Sequence, residues 1–326
     1  MKTLVTGVAG FIGHYVALAL LARGDNVVGI DNLNDYYDVS LKEARLNRIS
    51  KNKNFQFACG NVADGNFMDN LSEKHPQISN VIHLAAQAGV RYSLENPSAY
   101  IEANVMGQLV ILEFCRALKN IKHLVYASSS SVYGGNTKVP FAVEDRTDTP
   151  ISLYAATKRA DELMGHCYSH LFKIPSTGLR FFTVYGPWGR PDMAAYLFTK
   201  AMLEGEPIKV FNNGDMERDF TYIDDIIAGI LSCLDNPPTQ KTGEAPHRVY
   251  NIGNNSPEPL MRFIEILENS TGCKAEINFQ PMQPGDVKAT FADIGPMQRD
   301  FNYTPKTPIE IGLPKFVAWF REYHGI

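Results

Sequence analysis

Tyr154 and Lys158 stand four residues apart in the stretch SLYAATKRA, so on a helix they share one face. A phenol in water titrates near pKa ~10. An ammonium held beside it favours the phenolate and lowers that value. A tyrosine so activated removes a proton from a substrate hydroxyl as general base. The same letters also describe an aromatic packed on a helix beside a solvated lysine. What lies upstream decides between the two. YASSSSVYGG, Tyr126–Gly135, sets four serines in a row directly after the apolar run HLVYA. A serine run in a linker is solvated and inert. This one follows what reads as a buried strand, so its hydroxyls are candidates for chemistry.

A second constellation stands at the start of the chain. TGVAGFIGHY places glycines at 7, 10 and 13, between a β-branched run (KTLVTG) and an amphipathic segment. One glycine permits a tight turn, one lets the backbone approach a pyrophosphate, and one lets the helix pack on the strand. The N–H groups of the helix N-terminus then face the phosphates. Asp31 closes the next strand, NVVGID, about twenty residues on. A carboxylate there bonds both ribose hydroxyls and repels a 2′-phosphate, which favours NAD over NADP. The alternative is a plain strand–turn–helix with a solvated or helix-capping Asp31. The connection DNLNDYYDVSLKEARLNRI is long and is expected to flank the adenosine. HLAAQAG, His83–Gly89, ends a further strand, and its small residues let the backbone come close to the cofactor. A bound nicotinamide cation adds to the effect of Lys158 on the Tyr154 phenol, and hydride leaves the carbon whose hydroxyl Tyr154 deprotonates.

These residues need a sheet to hold them. Apolar runs FQFAC, NVIHLAA, HLVYAS and STGLRFF recur, separated by helical patterns, notably Ala99–Leu118 and Leu153–Leu171. Alternation of this kind means right-handed strand–helix–strand units and a parallel sheet covered on both faces. After Gly186 the texture changes. GPWGRPD is rich in turn formers, short strands and prolines dominate from Pro207, and Arg218–Leu234 returns to a helix pattern. The chain therefore enters, leaves and re-enters a second lobe, with a ligand cleft expected between the lobes.

Composition narrows the partners. The 326 residues carry a net charge of −4 with no Lys/Arg-rich tract, which argues against a nucleic-acid or anionic-membrane surface. The five cysteines are scattered and form no CxxC pair, so a disulfide framework or zinc site is not expected and a reducing cytoplasm is. FIGHYVALALLA is too short to span a membrane and lacks a cationic flank, so it reads as a helix of the nucleotide-binding unit. Glu162, His166 and His170 recur at i, i+4, i+8, a spacing that could hold zinc; the preferred reading is a solvated or subunit-contacting face, with no metal. Asp224 and Asp225 read as a helix start.

Taken together, the glycine triplet, Asp31, the serine row and YAATK resemble the extended short-chain dehydrogenase/reductase superfamily. QAGVRYSLENP, SSSSVYG, LRFFTVYGPWGRPDM, GDMERDFTYIDDI and QPGDV resemble, more narrowly, the UDP-glucuronate 4-epimerases, from Met1 to about Asp293. The resemblance implies an α/β fold: a Rossmann-type doubly wound parallel sheet, residues 1–182 plus about 218–252, binding NAD. A smaller, discontinuous C-terminal α/β lobe, about 183–217 plus 253–326, would hold the UDP-sugar. It implies a UDP-hexuronate substrate, with Tyr154 deprotonating the C4 hydroxyl as C4 gives hydride to a permanently held NAD. The 4-keto sugar turns over and takes the hydride back on its other face.

Ser129 aligns with the position bonded to the C4 oxygen. Around NAD the resemblance implies Gly7, Gly10, Phe11, Ile12, Gly13, Asp31, Asn32, Asn61, Val62, Leu84, Ala85, Ala86, Gln87, Asn104, Tyr154 and Lys158. Asn61 replaces an aspartate usual in relatives, but its amide oxygen accepts the same bond from the adenine amine. Ser130, Thr183 and Arg190 are assigned to the sugar carboxylate, Arg218 to the diphosphate, Asp286 to the ribose, and Val210 and Phe211 to the uracil. Arg190 offers a fork of donors that matches a carboxylate. A clamp there has a purpose, because oxidation at C4 makes a β-keto acid that loses CO₂ when the carboxylate bond aligns with the ketone. The resemblance also implies a homodimer paired through the two long helices. Ser128 ends the strand and faces the cofactor or simply completes it.

Rival chemistries leave marks that this chain lacks. A dehydratase carries an Asp–Glu pair where Ser130 and Ser131 stand. A UDP-glucuronate decarboxylase carries an acid at Ser131. A UDP-glucose 4-epimerase has no need of Thr183 with Arg190 and carries an asparagine where Thr183 stands; a 4-epimerase of UDP-N-acetylhexosamines or their uronates stays an open alternative. A non-catalytic NAD-sensing module often loses Tyr or Lys, and both are present.

Overall fold

The computed structural model describes residues 1–239, 242–283 and 287–326. Along the chain come β1 (Lys2–Thr6), α1 (Phe11–Ala22), β2 (Asn26–Asp31), α2 (Val39–Asn47), β3 (Phe55–Cys59), α3 (Gly65–Lys74) and β4 (Asn80–His83). Two short helices follow, α4 (Tyr92–Glu95) and α5 (Pro97–Tyr100), then a π-helical stretch, Ile101–Met106, that runs into α6 (Gly107–Ala117). Next are β5 (His123–Ser129), a 3₁₀ turn over Ser130–Tyr133, α7 (Leu153–Phe172), β6 (Ser176–Phe181), β7 (Thr183–Tyr185), α8 (Ala194–Glu204), β8 (Ile208–Phe211) and β9 (Glu217–Tyr222). The chain ends with α9 (Ile223–Asp235), β10 (His247–Ile252), β11 (Pro257–Pro259), α10 (Leu260–Thr271), β12 (Ile277–Gln280), β13 (Ala289–Thr290), α11 (Gly295–Phe301) and α12 (Ile309–His324).

Seven strands form one sheet in the order β10-β6-β5-β4-β1-β2-β3, and β1 to β6 pair in parallel. The order reverses beside β1, which is the doubly wound arrangement expected from the sequence. Leu4, Val28, Ile30, Val81 and Leu124 of the strands pack against Met68 and Leu71 of α3 and Ile111, Leu112 and Phe114 of α6. Each such side chain taken out of water contributes about 1.5–3 kcal/mol, which is why these strands read as continuous apolar runs. The helix expected over Ala99–Leu118 is not continuous. It is broken into α5, the π-helical stretch and α6. Among the described residues no helix is long and apolar enough to cross a membrane.

The chain divides into two compact units, residues 1–136, 143–181 and 227–250, and residues 137–142, 182–226 and 251–326. The return to the first unit is at Ile227, not near Arg218, because β9 pairs with β7, β11 and β13 of the second. The strip 137–142 also belongs there, since the Phe141 and Asp293 amides donate to Phe291 and Phe141 carbonyls, each at 2.9 Å. Asp219, with no exposed surface, is the knot of this unit. Its carboxylate accepts from the backbone N–H of Asn254 (2.6 Å), Asn255 (3.0 Å) and Ala292 (2.9 Å) and from the Thr221 hydroxyl at 3.3 Å. The aromatic rings of Phe220 and Phe263 stack beside it at 4.2 Å between centroids, giving the unit an apolar centre. Asp219→Ala strands three amide donors, that of Ala292 buried, so the second unit should lose about 2–5 kcal/mol, read as a lower urea midpoint.

Candidate active site

The β1–α1 turn is shaped by what cannot fit in it. Gly7 has φ +68°, and a Cβ there would lie 2.8 Å from the Ala85 backbone nitrogen. A Cβ on Gly13 would lie 2.0 Å from the Gly7 carbonyl oxygen. The turn therefore packs backbone against backbone, with Phe11 and Ile12 opening α1 and no side chain capping its N-terminus at Gly10. Asp31, at the end of β2, holds this turn from the side. Its carboxylate accepts from the amides of Ala9 at 3.0 Å and Leu33 at 2.9 Å, just past Asn32. Arg45 of α2, fully buried, donates to the Ala9 carbonyl at 3.1 Å and to the Tyr37 hydroxyl at 2.6 Å. The N–H and C=O of Ala9 are thus held from the end of β2 and from the last turn of α2, a role the sequence did not reveal.

Beyond β4 the backbone is held as firmly. The Thr6 hydroxyl accepts from the amides of Leu84 and Ala85, both at 3.1 Å, ahead of Ala86 and Gln87. Asn104, inside the π-helical stretch, accepts from the Gln87 amide at 2.8 Å and donates to the Gln87 carbonyl at 3.1 Å and to Thr157 of α7 at 3.0 Å. Its side chain is a brace between the segment after β4 and α7. The widened π turn turns this residue inward, and such turns concentrate at functional sites. Asn61 also has protein partners. Its amide oxygen accepts from Ala63 N at 3.0 Å and its nitrogen donates to Glu102 at 2.9 Å, beside a buried Val62. The oxygen retains a second lone pair.

Ser152 starts α7, its hydroxyl accepting from the Ala155 amide at 3.1 Å, a cap worth about 1 kcal/mol. That places Tyr154 in the first turn, its ring 6.0 Å from the Tyr100 ring. Lys158, one turn on, is buried and pairs with Asp161 at 2.7 Å. The serine row divides as follows. Ser128, buried, donates to Glu162 at 2.6 Å. Ser129 is the last residue of β5 and accepts from the Ser131 amide at 3.2 Å, which starts the 3₁₀ turn holding Ser130 and Ser131.

Glu162 is not on a solvated face. It is 1% exposed, takes Arg180 of β6 in a two-point pair (2.8 and 2.9 Å), and binds Arg159 at 2.7 Å. Burial pushes its carboxyl up, but the bonds from Arg180, Ser128 and Arg159 outweigh that and hold it below the usual range. The i, i+8 spacing could not show this because Arg180 comes from another element. His166, its helix neighbour, packs edge-on against His247 at 5.4 Å. No group of three potential ligands able to hold a metal occurs among the described residues.

In the second unit Thr183 and Arg190 line one recess together with Tyr185, Tyr196 and Phe316. The turn that delivers Arg190 contains Trp188 at φ +63°, a conformation disfavoured for a bulky residue. It is held by ring contacts with Trp319 and Tyr323, at 5.4 and 5.5 Å. The Arg190 guanidinium makes a two-point pair with Asp192. Arg218 donates to the Glu217 and Lys288 carbonyls at 2.8 and 3.1 Å. Val210 is fully buried in the β8–β12 pair, so any outward contact there is through backbone; Phe211 is half-buried. Asp225 does more than start α9, since it accepts from the amides of Lys306 and Thr307 at 3.1 and 3.0 Å. Asp286 lies outside the described residues.

The profile of the NAD dependent epimerase/dehydratase family matches residues 3–253. The chain belongs to this family. It is 51% identical to "Protein CapI" of Staphylococcus aureus over 99% of each chain. It is 48% identical to "UDP-glucuronate 4-epimerase 1" of Arabidopsis thaliana, covering 100% of this chain and 78% of that one. A crystal structure of UDP-glucuronic acid 4-epimerase from Bacillus cereus with UDP-glucuronic acid and NAD matches with a TM-score of 0.91 and 36% identity, over 99% of this chain and 100% of that one. The family's cofactor fits the residues present. A turn whose Val8 and Ala9 side chains are buried, an uncapped helix N-terminus and a carboxylate at the end of β2 suit a diphosphate and a ribose diol.

Glu162→Gln leaves Arg180 buried without its counter-charge and should cost about 3–5 kcal/mol in urea unfolding. The paired change of Glu162 and Arg180 to Met should recover most of that loss.

Proposed function

We propose that this enzyme inverts C4 of a UDP-linked uronic acid, interconverting UDP-glucuronate and UDP-galacturonate through a 4-keto sugar with NAD kept bound. The reading is carried by one observation: Ser129 at the end of β5 and Tyr154 and Lys158 in the first turns of α7, in a chain alike end to end to enzymes named for this reaction. NAD supplies the acceptor and donor of hydride. Gly7, Gly10, Phe11, Ile12 and Gly13 give its diphosphate a backbone surface, Asp31 takes the ribose diol, and the 84–87 segment lies along it. Tyr154 takes the proton of the C4 hydroxyl and later returns it. Lys158 favours the phenolate, and Ser129 holds the C4 oxygen. Ser130, Thr183 and Arg190 bind the sugar carboxylate. The Asp192 carboxylate already in the Arg190 fork is a group of the same shape and charge. Arg218 serves the diphosphate, and the segment at Val210 and Phe211 lies beside the uracil. The first unit is the cofactor domain and the second the UDP-sugar lobe.

The enzyme works in the cytoplasm, consistent with its five free cysteines, and as a homodimer. Leu163 (57% exposed) and Leu171 on α7, with Ile101 and Met106 before α6, give an outward apolar face suited to a two-fold axis. Glu at both Leu163 and Leu171 should convert the dimer to monomers in sedimentation; a monomeric wild type would reject the dimer.

Purified protein given UDP-glucuronate without added cofactor should yield UDP-galacturonate. UDP-xylose as the main product, or turnover of UDP-glucose but of no uronate, would overturn the substrate assignment. Tyr154→Phe should lower kcat by about 10²–10⁴-fold. Arg190→Ala should release extra UDP-pentose and CO₂ with weakened uronate binding.

A further inference from the structure

Lys158 has a close acidic partner with no part in the reaction described above. Asp161 lies three residues further along α7, and its Oδ2 accepts from Lys158 Nζ at 2.7 Å. Surface pairs at this spacing contribute little. This one is interior, with the two side chains 3% and 1% exposed, and Asp161 Oδ1 is buried with no hydrogen-bond partner. An ammonium has three donors, and one is committed to this carboxylate. The direction of the Lys158 side chain and the net charge beside Tyr154 both depend on it.

We propose that Asp161 is a positioning residue for Lys158: it anchors the ammonium, offsets part of its charge, and so sets the pH at which Tyr154 ionises. This rests on the reading of Tyr154 as the base. A cation beside a phenol favours phenolate, and a carboxylate bonded to that cation weakens the effect. The surrounding charges leave Asp161 as the adjustable one. Burial, and then Lys158, hold His83 at the end of β4 neutral, down to about 3. Burial, Glu162 and Asp161 push the phenol of Tyr126 on β5 well up. Glu162, the next residue of α7, is neutralised by Arg180 of β6 and by Arg159. Tyr100 of α5 meets the Tyr154 ring, and the π-helical stretch presents neutral Asn104. Burial pushes Asp161 itself up to about 6, against the pull of Lys158. Above that pH the carboxylate is charged and offsets Lys158. Below it, Lys158 acts with its full charge.

Asp161→Asn keeps an oxygen acceptor and removes the charge. The ionisation of Tyr154 is read in the protein with its bound NAD as the ultraviolet difference between each protein and its Tyr154→Phe counterpart, and the pH profile of kcat is measured alongside. The phenol midpoint and the acidic limb of kcat should both fall by about one unit, with KM for UDP-glucuronate changed less than about twofold. Asp161→Glu keeps the charge but displaces it, and should hold the wild-type midpoint while kcat falls by about tenfold. A midpoint and limb that stay in place or rise in folded Asp161→Asn would overturn the proposal. Should Asp161→Asn not fold, a lowered midpoint in Asp161→Glu would do so. Wild-type protein that makes no UDP-galacturonate would instead fail the functional reading, and the phenol titration, which needs no turnover, separates the two failures.

Discussion

A carboxylate withdrawn from water must find donors on every side, and Glu162 finds them on three elements. Arg180 reaches it from β6, Ser128 from β5 and Arg159 from its own helix. Ser128 and Arg180 are already facing partners in the β5–β6 register, so the pair adds a helix to a strand contact that exists without it. The result is a fixed relation between the end of β5 and the start of α7. Those are the two places that carry Ser129 and Tyr154. Arg180 also donates to the Tyr133 hydroxyl at 2.9 Å, which fastens the 3₁₀ turn after the serine row. A buried pair of this kind is weak evidence for net stability. Its contribution here is geometric, because one charge cannot move without stranding another.

The cofactor side follows the same logic with neutral groups. Backbone packs on backbone in the β1–α1 turn, and the Ala9 N–H and C=O are held by partners from elsewhere. Asp31 and Arg45 take the two sides of the Ala9 peptide, Thr6 takes the amides of Leu84 and Ala85, and Asn104 takes both sides of Gln87. Such bracing fixes the backbone of both segments at a modest ~1 kcal/mol per bond. It also gives Asn104 a bracing role that the sequence did not show, because its partners Gln87 and Thr157 are 17 and 53 residues away.

In the second unit Asp219 plays the part that Glu162 plays in the first. It gathers three amides from two separate turns around β9, the strand that presents Arg218 on its other residue parity. Strand alternation puts neighbours on opposite faces, so a buried Asp219 turns Arg218 outward. Arg190 is delivered by a turn that bends through Trp188, whose strained backbone is offset by tilted and edge-on ring contacts with Trp319 and Tyr323.

The sequence by itself determined the local chemistry. Three glycines between strand and helix, an acid closing β2, and Tyr154 and Lys158 one turn apart follow from short-range spacing, because turns, strands and helices are periodic over a few residues. The doubly wound sheet was legible for the same reason, as alternating apolar runs. What only the tertiary structure decided are the partners that come from far along the chain. The burial of Glu162 depends on Arg180, the π-helical break depends on Asn104 reaching Thr157, and the place of 137–142 depends on a bridge to Ala292. The role of Ser128 was open in the sequence because a serine hydroxyl suits a cofactor, a strand end or a carboxylate equally. The acid that claims it stands 34 residues away, and only folding brings the two to 2.6 Å.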